Sequence, residues 1–166
     1  MRALVERPHA HGVGAEHLTR LITTLNDSLT QHVISVVALR HELHGLRRCW
    51  LAFGSEGREE QTVSTDQDNG LVFEGGKAED DSQVAARLLP FAREVNHWLS
   101  QCGFPMCSSH IMAGNPQWCL SLDGWRRQFD GWARNTSPKA LLNSVIFSIF
   151  ARCTAMRRWP RPCACI

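Results

Sequence analysis

Between residues 16 and 44, Leu18, Ile22, Leu25, Leu29, Val36, Leu39 and Leu43 fall at alternating steps of four and three, with His32 in the remaining seam position. This predicts a long amphipathic helix with a narrow apolar stripe, packed on a partner helix or on upstream sequence. His32 reads as a tolerated seam residue rather than a ligand. The period then changes. Residues 49–53 and 69–73 are short apolar runs bounded by glycine, which predicts two buried strands. Between them, 54–57 reads as a sharp turn and 58–63 as a helical turn or two. Helical spacing returns over 83–101, with Val84, Leu88, Phe91, Ala92, Val95, Trp98 and Leu99 on one face. A further strand is expected within 104–112, and Asn115-Pro116 marks a turn. Trp118, Leu122, Trp125, Phe129 and Trp132 repeat at four and three, an aromatic helix face. Helical spacing already accounts for these tryptophans, so they read as core rather than as a platform for bases. Ser137-Pro138 is a helix start, serine as N-cap and proline at the first helical position, and Leu141, Leu142, Val145, Ile146 and Ile149 line the helix that follows.

The organisation predicted is a loose lead-in over 1–15, the long helix over 16–44, an α/β core over 45–116, the start of a helical domain over 117–150, and a tail over 151–166. The fold class is α+β: a small mixed sheet flanked by the long N-terminal helix and a truncated C-terminal helical part. The 166 residues suit one domain with a helical appendage, and 43% hydrophobic with 20% charged residues is ordinary for a chain that buries a core. A net charge of +2 gives no argument for nucleic acid or an anionic membrane as partner. No apolar run approaches the roughly 18 to 20 residues that span a bilayer. No apolar segment follows the early arginine, so 1–14 is not a secretory signal and a cytoplasmic protein is expected. Seven cysteines without a CxxC pair read as reduced, mostly buried thiols. Cys102, Cys107, His110 and Cys119 match no common zinc spacing.

The chemistry concentrates in 53–69. A triphosphate needs backbone N–H groups that it can approach closely after a strand, which favours glycine beside a small hydroxyl residue, and Gly54-Ser55 supplies both. Hard cations bound to phosphate need carboxylates. Asp66 and Asp68 stand two apart at the start of a strand, so their side chains share a face with Cα atoms about 6–7 Å apart. A lone DxD or a lone GS is weak, but strand, GS, short helix, DxD and strand in succession form a strong signal.

The residues Trp50, Gly54-Ser55-Glu56-Gly57-Arg58-Glu59-Glu60-Gln61 and Thr65-Asp66-Gln67-Asp68-Asn69 resemble the active-site motif of the DNA polymerase β-like nucleotidyltransferase superfamily. More narrowly, the chain resembles the nucleotidyltransferase-like proteins that bacteria attach to CBS and cyclic-nucleotide-binding domains, relatives of the N-terminal part of protein-PII uridylyltransferase. Cys102-Gly103-Phe104-Pro105, Met112-Ala113-Gly114-Asn115-Pro116-Gln117-Trp118 and Trp125 extend the likeness, which runs from about residue 18 to 150. It implies a metal pair on Asp66 and Asp68, a phosphate-contacting turn at Gly54 and Ser55, and Mg²⁺ (or Mn²⁺) as cofactor. A nucleoside triphosphate would donate its nucleoside monophosphate to an acceptor hydroxyl, with a PII-type protein as one candidate acceptor. Arg58 reads as a phosphate cation or as a surface partner of Glu59. A dimer through 16–44 fits the seam. The competing readings are a non-catalytic nucleotide-sensing module of a signalling protein and an inactive fragment of one.

Two departures from the family pattern stand out. The superfamily places a third carboxylate on a later strand, and here 107–111 offers only His110, which reads as a general base or, with preference, as an ordinary histidine. The tail after Phe150 loses all periodicity and gains Arg, Cys and Pro. Back-translating 150–157 and shifting the frame by two bases yields Arg-Ala-Leu-Tyr-Gly-Asp-Ala, the kind of helical continuation the family implies. A frameshifted or fragmentary product, with a poorly packed tail, is therefore expected.

Overall fold

Both glycine-bounded apolar runs become neighbouring strands of one sheet. The computed structural model describes residues 14–54, 66–75, 80–134 and, for the backbone only, 151–155. Strand β1 (Arg48–Ala52) pairs antiparallel with β2 (Asn69–Phe73), Trp50 opposite Leu71. Side chains alternate between the two faces of the sheet at the period of a strand. Trp50, Leu71 and Phe73 join one apolar cluster, and Cys49, Leu51, Phe53 and Val72 join the other. Both faces are covered, which is why these strands read as continuous apolar runs.

The first face is covered by two helices, α1 (Ala15–Ala38) and α2 (Asp81–Gln101). Helix α2 starts at a capping box in which the Asp80 carboxylate accepts from the Gln83 backbone N–H at 2.9 Å and the Gln83 side chain accepts from the Asp80 N–H at 3.1 Å. Val84, Leu88, Phe91, Ala92, Val95 and Leu99 are buried as expected of this face, whereas Trp98, also expected on it, is 41% exposed.

Helix α1 corrects two expectations. It ends at Ala38 rather than near residue 44, and beyond that end Arg40 and His41 meet the Glu94 carboxylate of α2 at 2.7 and 2.8 Å. Its buried row is Leu18, Ile22, Val33, Ile34 and Val37, together with Thr23, Asn26 and Thr30. The four-three stripe is only partly used: Leu25 and Val36 stay about 40% exposed and Leu39 is 87% exposed.

Two more strands complete the sheet in the order β3-β2-β1-β4. Strand β3 (Cys119–Ser121) runs parallel to β2 and lies where the aromatic periodicity predicted helix. Residues 104–112, where a strand was expected, form turns joined to the sheet region by an isolated bridge, Met106 with Gln67, and by the Asn69 N–H donating to the Ile111 carbonyl. Pro105 has no N–H to give a ladder, and His110 sits at a positive φ of 57°, so the segment cannot run on as a strand. The aromatic helix α3 (Leu122–Arg134) starts after β3, with the Ser121 hydroxyl accepting from the Gly124 N–H at 3.1 Å as an N-cap. Trp118, before β3, and Trp125 of α3 lie in the second cluster, and the Trp125 indole N–H donates to the Leu71 carbonyl at 3.1 Å.

Strand β4 (Ala151–Ala155) pairs antiparallel with β1, Leu51 opposite Cys153. Residues 151–155 of the expected tail thus pair through their backbone, while 156–166 lie outside the described residues, as do the helix expected after Pro138 and the lead-in over 1–13. The uniform reading of reduced thiols is also corrected. Cys102, Cys107 and Cys119 are free, whereas Cys49 is disulfide-bonded. No described helix is long and apolar enough to cross a membrane.

Candidate metal and nucleotide site

The tetrapeptide Asp66-Gln67-Asp68-Asn69 is pinned along its backbone from two sides. The Phe53 N–H donates to the Asp68 carbonyl at 2.9 Å, which ties it to the end of β1. The Gln67 N–H donates to Pro105 O at 2.9 Å, and the Asn69 N–H to Ile111 O at 3.0 Å, which tie it to the 105–111 turns. In this extended conformation alternate side chains point opposite ways. Gln67 and Asn69 turn inward, each only 2% exposed, and Asp66 and Asp68 turn outward together.

The inward pair meets Asn96, the buried polar residue on the apolar face of α2. Asn96 Nδ2 donates to Gln67 Oε1 at 2.8 Å and to Asn69 Oδ1 at 2.9 Å, while Asn96 Oδ1 accepts from the Gly114 N–H at 2.9 Å. Gln67 Nε2 donates to the carbonyls of Asn96 and Phe104 at 3.0 and 2.9 Å, and Asn69 Oδ1 also accepts from the Ala113 N–H at 2.8 Å. Every amide in this network has partners, so it holds the strand's register and hence the aim of the two carboxylates.

Gly54 closes the site from the β1 side. Its φ of 58° is a conformation that side chains rarely adopt, and a β-carbon there would lie 2.8 Å from Asp68 Oδ2. Backbone and carboxylate are thus in direct apposition. Ser55 and Arg58 lie outside the described residues.

One atom of each of Asp66, Asp68 and Cys107 falls within 4.8 Å of the others, with Asp66 exposed, Asp68 half-buried and Cys107 buried. Burial holds the Asp68 carboxyl above its ordinary value, a hydrogen bond from Cys107 opposes this, and the Asp66 charge adds to the rise. Burial likewise pushes the Cys107 thiol up, and the hydrogen bond to Asp68 pushes it further. Two anions and a thiol crowded in this way make a donor set that a divalent cation would satisfy.

His110 is exposed and outside this group; it lines an open cleft of about 560 Å³ with Arg93, Met106, Met112 and Gln117. Among the described residues no third carboxylate joins Asp66 and Asp68, and Cys102, Cys107, His110 and Cys119 do not gather into a zinc module. Sequence reasoning missed Cys107 as the pair's neighbour and Asn96 as the residue that aims it. Asn96 left a trace, a lone amide in the apolar stripe of α2. Cys107 left none, because its closeness to Asp68 depends on a turn between two loops.

No curated protein and no solved structure matches the chain. A family model described as "Putative nucleotidyltransferase DUF294" matches residues 1–139, which span β1, β2 and both aspartates. That match covers 139 of 166 residues, and the chain belongs to this nucleotidyltransferase family.

Proposed function

We propose that the chain is a divalent-cation-dependent nucleotidyltransferase that moves a nucleoside monophosphate from a triphosphate to an acceptor hydroxyl. The acceptor oxygen forms the new bond to the α-phosphorus, the α–β bridging bond breaks, and pyrophosphate leaves. Mg²⁺ or Mn²⁺ and a PII-type protein acceptor are the finer form of this reading, which the motif resemblance supports. The observation that carries the reading is the paired aim of Asp66 and Asp68 against the Gly54 turn. Bound cations would neutralise phosphate charge and favour loss of the acceptor proton. Asp66 and Asp68 would hold them, the Gln67–Asn69–Asn96 network keeps both carboxylates on one face, and Gly54 lets phosphate approach the backbone.

One observation favours a second reading, a nucleotide-sensing module without turnover: the pair's third neighbour is a thiol, not a carboxylate able to take the acceptor proton. A positioned base contributes about 10²–10⁴ in rate, so its loss leaves binding with little transfer. Titration of each nucleoside triphosphate with Mg²⁺ or Mn²⁺ tests both readings. Binding is expected in the parent and not in Asp66→Asn/Asp68→Asn, whose circular dichroism should be unchanged. Equal binding by the two proteins refutes the site. Pyrophosphate release in the presence of an acceptor separates the readings.

A further inference from the structure

We propose that Cys107 is the third protein ligand of the Asp66/Asp68 cation site, and that this site therefore prefers a thiophilic divalent cation such as Zn²⁺ or Co²⁺ over Mg²⁺. The inference rests on the site assignment above and adds to it the identity of the third donor and the class of cation.

Geometry is the first support. Ligand atoms around a tetrahedral zinc stand about 3.3–3.8 Å apart, given bonds of about 2.0–2.3 Å to oxygen and sulfur. The two carboxylate oxygens and Cys107 Sγ already lie within 4.8 Å of one another, so a small closure completes the set. The second support is the rigidity of the thiol's mounting. On one side Pro105 accepts from the Gln67 N–H at 2.9 Å, and on the other Ile111 accepts from the Asn69 N–H at 3.0 Å. The Cys107 carbonyl itself accepts from the His110 N–H at 3.0 Å. Residue 107 is therefore suspended between two rungs tied to the strand that carries the carboxylates. Its side chain is 5% exposed and is a free thiol.

The other two free thiols among the described residues do not compete for this role. Cys102 is exposed just past α2, Cys119 is buried in β3, and neither is grouped with the acids. Ligand chemistry completes the argument. Mg²⁺ takes near-octahedral oxygen ligands, whereas a sulfur donor beside carboxylates suits softer cations that accept four-coordination. Two carboxylates and a thiol within reach of one another make a mixed oxygen–sulfur donor set.

The test uses the full chain without nucleotide, titrated with Co²⁺ and followed by the near-ultraviolet charge-transfer band of a cobalt–thiolate bond. The band is expected in the parent and in Cys102→Ser, and not in Cys107→Ser or Asp66→Asn/Asp68→Asn. By calorimetry, Zn²⁺ should bind the parent at least tenfold more tightly than Mg²⁺, and Cys107→Asp should shrink that preference at least tenfold. Zinc-edge X-ray absorption on the Zn²⁺-loaded parent needs no variant, and should show one sulfur at about 2.3 Å that the double aspartate variant lacks. A band or sulfur shell that survives in Cys107→Ser, or Co²⁺ binding without any band, overturns the proposal. If the double aspartate variant then still fails to bind cations, the site assignment stands without Cys107. If that variant binds as the parent does, or the parent binds no cation, the site assignment falls too.

Discussion

Position 54 admits a side chain only with a strained backbone and a displaced Asp68 carboxylate. At a φ of 58° a non-glycine residue costs about 1–2 kcal/mol, and its β-carbon would also press on Asp68 Oδ2 from 2.8 Å. Gly54→Ala should therefore destabilise the protein by at least that amount and weaken metal and nucleotide binding, and Gly54→Val should do more. Arg58→Ala should leave stability unchanged and lower nucleotide affinity less. Thermal melts and triphosphate titrations of the three variants check the order, and small equal effects would count against a phosphate-facing turn. Asp68 allows a pH test. Burial, with the Asp66 charge adding, raises its folded-state pKa above the ordinary 3.8. Ionising it in the folded protein therefore costs stability. That cost is absent below the ordinary value, grows as pH rises through it, and is complete above the raised value. In the absence of metal, Asp68→Asn should melt higher than the parent at pH 7 and lose this advantage near pH 3. A divalent cation at 100 times its Kd should stabilise the parent by about 2.7 kcal/mol and the variant by far less. The closeness of the two aspartates to each other and to Gly54 was legible because all three stand at the adjoining ends of two neighbouring strands. Asn96 and Cys107 were not, because each acts through a partner distant in sequence.

For the helices, the sequence left open which of two neighbouring rows of α1 is buried. Leu25, Val36 and Leu39 satisfy a four-three repeat, but Ile34 and Val37 also lie near that stripe, and α2 and the sheet bury the second set. Ile34→Ala should cost about 2–5 kcal/mol, the range for a fully buried branched side chain. Leu39→Ala should stay within about 0.5 kcal/mol. Denaturant unfolding of both variants decides the matter, and the reverse order would restore the four-three seam as the packed face. The helix over 118–132 went astray for a related reason. Aromatic residues spaced at four and three mark one side of the chain, yet Trp118 reaches the same cluster from a 3₁₀ turn before β3, and only from Leu122 onward does the helix supply that spacing.

Across the whole molecule, β1 is central only because β4 pairs with it. Removing residues 151–166 should leave β1 as an open edge, lower the melting temperature by on the order of 5 °C and promote self-association. Sedimentation and melting of a chain ending at residue 150 check this, with the β1 amides expected to lose hydrogen-exchange protection. An unchanged melt and unchanged protection would show that the pairing contributes nothing. The family match ends at residue 139, well before this strand. The frameshift proposed for the tail is a statement about DNA, and reading the codons around Phe150 in all three frames checks it.

Neighbours along the chain specify the two central strands, the body of helix α2, and the closeness of the paired carboxylates to the glycine that follows β1. These follow from period, turn chemistry and residue type within windows of a few residues. Long-range packing specifies the buried row of α1, the short parallel strand β3, the pairing of β4, and the thiol placed against Asp68. Each depends on which distant surface arrives, and nothing local in the chain encodes that contact.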